Sequence, residues 1–136
     1  MNERRLKDFA TRYTAAWCSQ DAASVAASYA EDGSLQINDG EPSVGRAAIT
    51  AAAQAFMTAF PDMVVTMDEV SLSGTGAVYR WTLVGTNNGP GGTGNSVRIS
   101  GHERWTFGPD DLIAESRGHF DEADYERQLN TGSRDN

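Results

Sequence analysis

Glu103 is the residue best placed for acid/base chemistry in this chain, because it is the lone charge on an otherwise apolar strand face. Between Ser96 and Phe107 the even positions are Ser96, Arg98, Ser100, His102, Arg104 and Thr106, all polar. The odd positions are Val97, Ile99, Gly101, Glu103, Trp105 and Phe107. Alternation of this kind predicts a strand with one wet face and one covered face. An isolated buried charge is costly, so a carboxylate on the covered face needs polar partners or is held partly neutral. Either state suits a general acid or base, or a ligand anchor. The structural alternative is a rim position, solvated or salt-bridged.

The neighbours of Glu103 follow from the last hairpin. A tight turn at Pro109-Asp110 places Arg104 opposite Glu115 and His102 opposite Arg117 on the wet face. On the covered face it sets Trp105 by Ala114, Glu103 by Ser116, and Gly101 by Gly118. Gly101, Ser116 and Gly118 are small, and room beside a lone acid suggests a cavity. Trp105 is the expected pocket wall. Trp17 and Trp81 are pocket candidates that also fit ordinary core packing, and Tyr13 joins them from the first helix. Ser116 and Arg80 are the candidate second polar groups near Glu103, Arg80 only if its strand turns that face inward.

Other motifs carry less chemistry. Gly89, Gly91 and Gly94 match G-x-G-x-x-G, but a strand follows them rather than a helix, so they read as a flexible loop that can act as a lid. Asp121 reads as a helix N-cap, with Phe120 and Tyr125 as a hydrophobic staple and Glu122 and Asp124 in the first turn. His102 and His119 share the wet face with Arg104 and Arg117, which repel a cation, so no metal site is expected. Cys18 lacks an evident histidine partner for a nucleophilic role.

The elements that must position these residues are readable from periodicity. Leu6, Phe9, Ala10, Tyr13, Ala16 and Trp17 predict an amphipathic helix over about 3–18. Asp21 reads as the N-cap of a second helix through Tyr29, ended by Glu31-Asp32-Gly33, with a short strand over Ser34 to Ile37. A third helix runs from Ala47 to Phe60 and stops at Pro61. Residues 62–72, 77–87, 96–107 and 112–120 read as four successive strands. In the second of these, Tyr79-Trp81-Leu83 is the more apolar face. Helices followed by an antiparallel meander give an α+β domain, with a single unit over 1–130 and a disordered tail over 131–136.

Composition narrows the partners. The formal charge of −8 disfavours nucleic acid and anionic membrane surfaces. Cys18 is the only cysteine, which excludes a disulfide framework within the chain. No signal-peptide-like or membrane-spanning stretch is apparent, so a cytoplasmic location is the expectation.

Several short pieces recur in order and spacing in a known superfamily. They are Asp32-Gly33, Gly45-Arg46, Phe60-Pro61-Asp62, Arg80-Trp81-Thr82, Gly85-Thr86-Asn87-Asn88-Gly89, Asp111-Leu112-Ile113-Ala114-Glu115, Phe120-Asp121 and Gln128-Leu129. Over about residues 5–130 the chain resembles the nuclear-transport-factor-2-like superfamily, and within it the SnoaL-like polyketide cyclase branch. The resemblance implies a cone: a curved antiparallel sheet around a hydrophobic pocket, with the N-terminal helices packed over its concave face, commonly as a homodimer. It puts Gly118 where those cyclases carry an essential aspartate, Trp105 where they carry a pocket histidine, and Glu103 where they carry a pocket glutamine. An Asp-Arg-Asp arrangement like that of the epoxide-hydrolase branch would need Arg80 with Asp32 or Asp68.

The expected function is therefore a cofactor-free small-molecule enzyme of the isomerase, cyclase or hydrolase class. Glu103 would be its acid/base group, acting on an apolar, ring-containing ligand. The alternative is a non-catalytic ligand-binding dimer that has lost the family aspartate, at Gly118. A protein-binding adaptor is the third reading and would need an exposed apolar patch.

Overall fold

The apolar repeat at the N-terminus becomes the inner face of α1 (Glu3–Cys18) in the computed structural model, which describes residues 1–133. Leu6, Phe9, Ala10, Tyr13 and Trp17 are buried, and the Asn2 side chain caps the helix by accepting from the Arg5 N–H at 2.9 Å. Next come α2 (Ala22–Ala26), β1 (Tyr29–Ile37), β2 (Ser43–Val44) and α3 (Arg46–Ala59). The chain then forms β3 (Val64–Ser73), β4 (Gly76–Thr86), β5 (Ser96–Phe107), β6 (Ile113–Phe120) and α4 (Glu122–Thr131). Residues 134–136 of the expected tail lie outside the described residues.

The architecture is α+β, with a curved, unclosed six-stranded sheet in the order β2-β1-β6-β5-β4-β3. The meander β3 to β6 is antiparallel throughout, and β1 joins β6 in parallel. The second helix is shorter than its sequence suggests, because Tyr29 already pairs with Ile113 and the chain is extended from there. Glu31-Asp32-Gly33 is thus an irregularity inside β1 rather than a helix stop. A Cβ on Gly33 would come within 2.8 Å of the Ile113 carbonyl oxygen, so this crossing requires glycine. Long-range pairing has outweighed the local turn signal.

The last hairpin also differs from the tight turn expected. Asp111 adopts φ +59°, and the Gly108 N–H donates to the Leu112 carbonyl, so five residues bridge the strands. The register moves by two: Glu103 faces Gly118, Trp105 faces Ser116, Gly101 faces Phe120 and His102 faces His119. A shift of two keeps every side chain on its face, so the inside/outside assignment survives while the partners change. The Arg104–Glu115 pair is replaced by Arg104 beside Arg117, and Glu115 bridges Arg117 at 2.9 Å.

The helices place a core of apolar side chains against the sheet, among them the fully buried Tyr13, Tyr29, Ile49, Met57 and Phe60. Asp121 caps α4 by accepting from the Asp124 N–H at 3.0 Å, and the Phe120 and Tyr125 rings meet edge-on at 5.4 Å, as capping and stapling require. The glycine-rich loop 87–95 is fastened by Asn87, which is buried, donates to the Ala59 carbonyl at 3.2 Å and accepts from the Thr93 N–H at 2.8 Å. No helix among the described residues is long and apolar enough to cross a membrane.

Candidate active site

Glu103 lies on the covered face of β5, 7% exposed, between Tyr79 of β4 and Gly118 of β6. Three donors converge on its Oε1: the Tyr13 hydroxyl at 2.8 Å, the Ser116 hydroxyl at 2.7 Å and the Trp105 indole N–H at 3.0 Å. The Tyr29 hydroxyl extends this network through a 2.9 Å contact with that of Tyr13. Each donor comes from a different part of the fold: α1 supplies Tyr13, β1 Tyr29, β5 Trp105 and β6 Ser116. The carboxyl is held in one orientation by elements far apart in sequence.

The electrostatics pull in two directions. Burial pushes the Glu103 pKa above the usual glutamate value, and the hydrogen bonds from Trp105, Ser116, Tyr13 and Tyr29 pull it back without cancelling the rise. Tyr13 and Tyr29 are both raised well above the ordinary phenol value, first by burial and then by the Glu103 charge. Both phenols stay protonated as donors while the carboxyl titrates. Tyr13→Phe is expected to cost about 1–3 kcal/mol, because it strips a donor from Glu103 and leaves the Tyr29 hydroxyl short of a partner. Chemical denaturation checks this, and an unchanged midpoint would show the network to be dispensable. The same variant should raise the Glu103 pKa further, since the lost hydrogen bond favoured the ionised form.

Beside Glu103 lies a cavity of about 60 Å³ on the concave side of the sheet. A single water needs roughly 10–15 Å³ by this measure, so the space suits about one small ring. Glu103 and Gly118 form one part of its wall. Trp17 of α1, Phe56 of α3, and Tyr79, Trp81 and Leu83 of β4 form much of the rest. The three donors all meet the same oxygen of the carboxyl, Oε1.

The residues picked out from sequence divide accordingly. Glu103, Gly118, Trp17 and Trp81 line the cavity; Trp105, Ser116 and Tyr13 do not, and act on it through Glu103. Trp105 is thus a core residue, stacked on Tyr79 at 4.8 Å, whereas Trp17 and Trp81 form the wall. Gly101 opens no space: a Cβ there would sit 2.4 Å from the His119 carbonyl oxygen and 2.7 Å from the Trp81 ring. Trp81 lies opposite it and fills that place.

Arg80 is exposed on the outer face, as are Asp32 and Asp68, with Asp68 accepting from the Thr82 hydroxyl at 2.6 Å. An Asp-Arg-Asp arrangement facing the cavity is therefore absent among the described residues, and Arg80 is no partner for Glu103. The loop 87–95 lines no part of the cavity and is no lid over it. His102 and His119 sit side by side, ring centres 5.7 Å apart, and burial and the neighbouring Arg104 and Arg80 lower the pKa of His102. Among the described residues no group of three His, Cys, Asp or Glu is gathered to hold a metal ion.

Tyr29 and Tyr79 are members of the site not picked out from sequence, as are Phe56, Leu83 and His119 of the cavity wall. Tyr79 could have been found from its apolar strand face. Tyr29 was hidden by its assignment to the end of a helix, and only the parallel pairing of β1 with β6 brings it to Tyr13.

A sequence profile of the SnoaL-like domain matches residues 10–116. No curated protein matches the sequence. In structure the chain is similar to TsrD from Streptomyces laurentii, at 20% identity and a TM-score of 0.81, over 95% of this chain and 97% of that one. It is similar to a protein with a ketosteroid-isomerase-like fold from Catenulispora acidiphila, at 14% identity and a TM-score of 0.79, over 90% and 92% of the two chains. The epoxide hydrolase/cyclase-like enzyme SalBIII, described in pyran ring formation, gives 18% identity and a TM-score of 0.77 over 90% and 95%. At such identities the likeness is one of fold.

Proposed function

This chain belongs to the SnoaL-like domain family, and we propose that it is a small-molecule enzyme working by acid/base catalysis on an apolar, ring-containing ligand, with Glu103 as the group that moves the proton. The observation that carries this reading is the carboxyl itself: buried, on a residue that lines the cavity, and fixed through Oε1 by three donors. A carboxyl made more basic by burial is suited to abstract a proton next to a carbonyl near neutral pH, and to return it elsewhere. Isomerisation and cyclisation both follow from that step, and hydrolysis follows if the same oxygen activates water. Proton transfer of this kind uses the carboxyl and the cavity, with no cofactor.

The second reading, a non-catalytic binder, is favoured by Gly118, which offers no side chain where the resemblance puts the cyclase aspartate. One experiment separates the two. The Glu103 carboxyl is titrated by carbon-detected NMR, with Glu103→Gln as the assignment control, and cyclic ketones, lactones and epoxides are screened for turnover. A titration above the ordinary glutamate value together with Glu103-dependent turnover is the expected result. An ordinary value with no turnover across the panel leaves the binder.

A further inference from the structure

The outer face of the sheet, turned away from Glu103, carries a cluster of cationic side chains that the acid/base reading does not use. Arg80 of β4 stands opposite His102 of β5, which in turn stands opposite His119 of β6. Arg104, two residues along β5 from His102, stands opposite Arg117 of β6. Directly opposed residues lie about 5 Å apart at Cβ, and next-but-one residues of a strand about 7 Å apart, so these groups share one small patch. The two imidazole rings are 5.7 Å apart. Arg80, Arg104, Arg117 and His119 are exposed, and His102 is half-buried among them.

Like charges set directly opposite one another destabilise a sheet, and carboxylates offset them here only in part. Glu115 bridges Arg117 at 2.9 Å. Glu69 of β3 stands opposite Arg80 in register, yet the two make no ion pair, and Arg104 makes none among the described residues. Asp68, also on β3, accepts from the Thr82 hydroxyl. The repulsion registers at His102, whose pKa is lowered by burial and then by Arg104, Arg80 and His119. A patch that repels a cation attracts an anion. The formal charge of −8 on the whole chain repels long polyanions, but a small anion senses mainly the charges within a Debye length of about 8 Å.

We propose that this patch is a site for a phosphate group, carried by the free ion or by a small phosphomonoester, and held by Arg80, Arg104 and Arg117 with His102 and His119 as further donors. Guanidinium forks and imidazole N–H groups spread over three strands can each meet a different oxygen of a tetrahedral anion, whereas a carboxylate offers only two. A monoester phosphate carries about −1.5 to −2 charges at pH 7, so its binding relieves the repulsion that the free chain bears.

The test needs no turnover and is independent of Glu103. Imidazole signals of the native chain are followed by proton–nitrogen NMR, assigned with His102→Gln and His119→Gln, while sodium phosphate replaces sodium chloride at constant ionic strength. Methyl phosphate is titrated in parallel. Both rings are expected to shift saturably, with a half-point at about 1 mM or below. The His102 pKa is expected to rise, since a bound dianion favours the imidazolium. Tighter binding of methyl phosphate identifies a monoester as the ligand, and tighter binding of inorganic phosphate the free ion. Arg104→Gln is expected to weaken phosphate about tenfold, the loss of one charge-assisted hydrogen bond. Lys7→Gln, the same change of charge at an exposed position on α1, is expected to leave binding as it is. Shifts that grow without saturating, equal losses in Arg104→Gln and Lys7→Gln, or an unmoved His102 pKa overturns the proposal. If Arg104→Gln fails to fold, the titration of the native chain still decides.

Discussion

Glu103→Gln is expected to lose turnover by about two to four orders of magnitude, the usual contribution of a positioned general acid or base, yet to fold at least as stably as the native chain at neutral pH. Gln preserves the acceptor that takes the three hydrogen bonds from Tyr13, Ser116 and Trp105, and it puts an amide in place of Oε2. What it removes is the cost of ionising a buried carboxyl. The folded-state pKa of Glu103 lies above its unfolded value, first because of burial. The folded chain therefore binds the proton more tightly, and that contribution is complete below the unfolded value of about 4.3. It declines as pH rises and is lost above the folded value, each unit of separation being worth about 1.4 kcal/mol. Thermal unfolding of the two chains from pH 4 to pH 8 should show the Gln variant gaining on the native one as pH increases. Parallel curves would mean an unperturbed carboxyl, and a Gln variant that turns over at the native rate would remove Glu103 from the mechanism.

A residue whose replacement stabilises the fold but abolishes the chemistry is what a stability–function compromise looks like at the level of one side chain. The buried position of Glu103 was legible in sequence because strand alternation has a period of two, and a charge out of phase with it stands out within a dozen residues. The error in the last hairpin did not blur this, since a shift of two positions changes neighbours without changing faces. Ser116 reached Glu103 even though Gly118, not Ser116, is directly opposite. What periodicity could not supply was contact between distant elements. Tyr13 and Tyr29 meet only because β1 runs parallel to β6, a pairing carried by no local pattern. The division of the tryptophans was equally non-local: Trp105 is turned into the core by its stacking on Tyr79, whereas Gly101 makes the place that Trp81 occupies. Asp121 was readable because a cap and its staple are local in sequence.

Gly118→Asp, which puts an aspartate where the sequence resemblance implies one in the cyclases, is expected to destabilise the fold by about 3–5 kcal/mol at pH 8, the cost of an uncompensated buried charge. Steric crowding is not the cause. A Cβ at Gly118 meets only ordinary contacts, 3.5 Å to the Gln36 carbonyl oxygen and 3.6 Å to Cγ of Glu103. Gly118→Ala should therefore be neutral or stabilising by about 0.5 kcal/mol, through the loss of glycine's freedom in the unfolded chain. The cost of the aspartate is electrostatic: a second carboxyl beside Glu103 cannot ionise freely while the first is charged, so one of the two is pushed up further. The sign of the pH dependence follows. Near pH 4 at least one of the pair holds a proton and the penalty shrinks; as pH rises toward 8 it returns. Denaturant midpoints for Gly118→Asp, Gly118→Ala and the native chain at the two pH values measure it directly. A penalty equal in Ala and Asp, or one that ignores pH, would place the new carboxyl in solvent and separate it from Glu103. The double variant Glu103→Gln with Gly118→Asp should recover the part of the loss that comes from like-charge repulsion, leaving only the desolvation of its one remaining carboxyl.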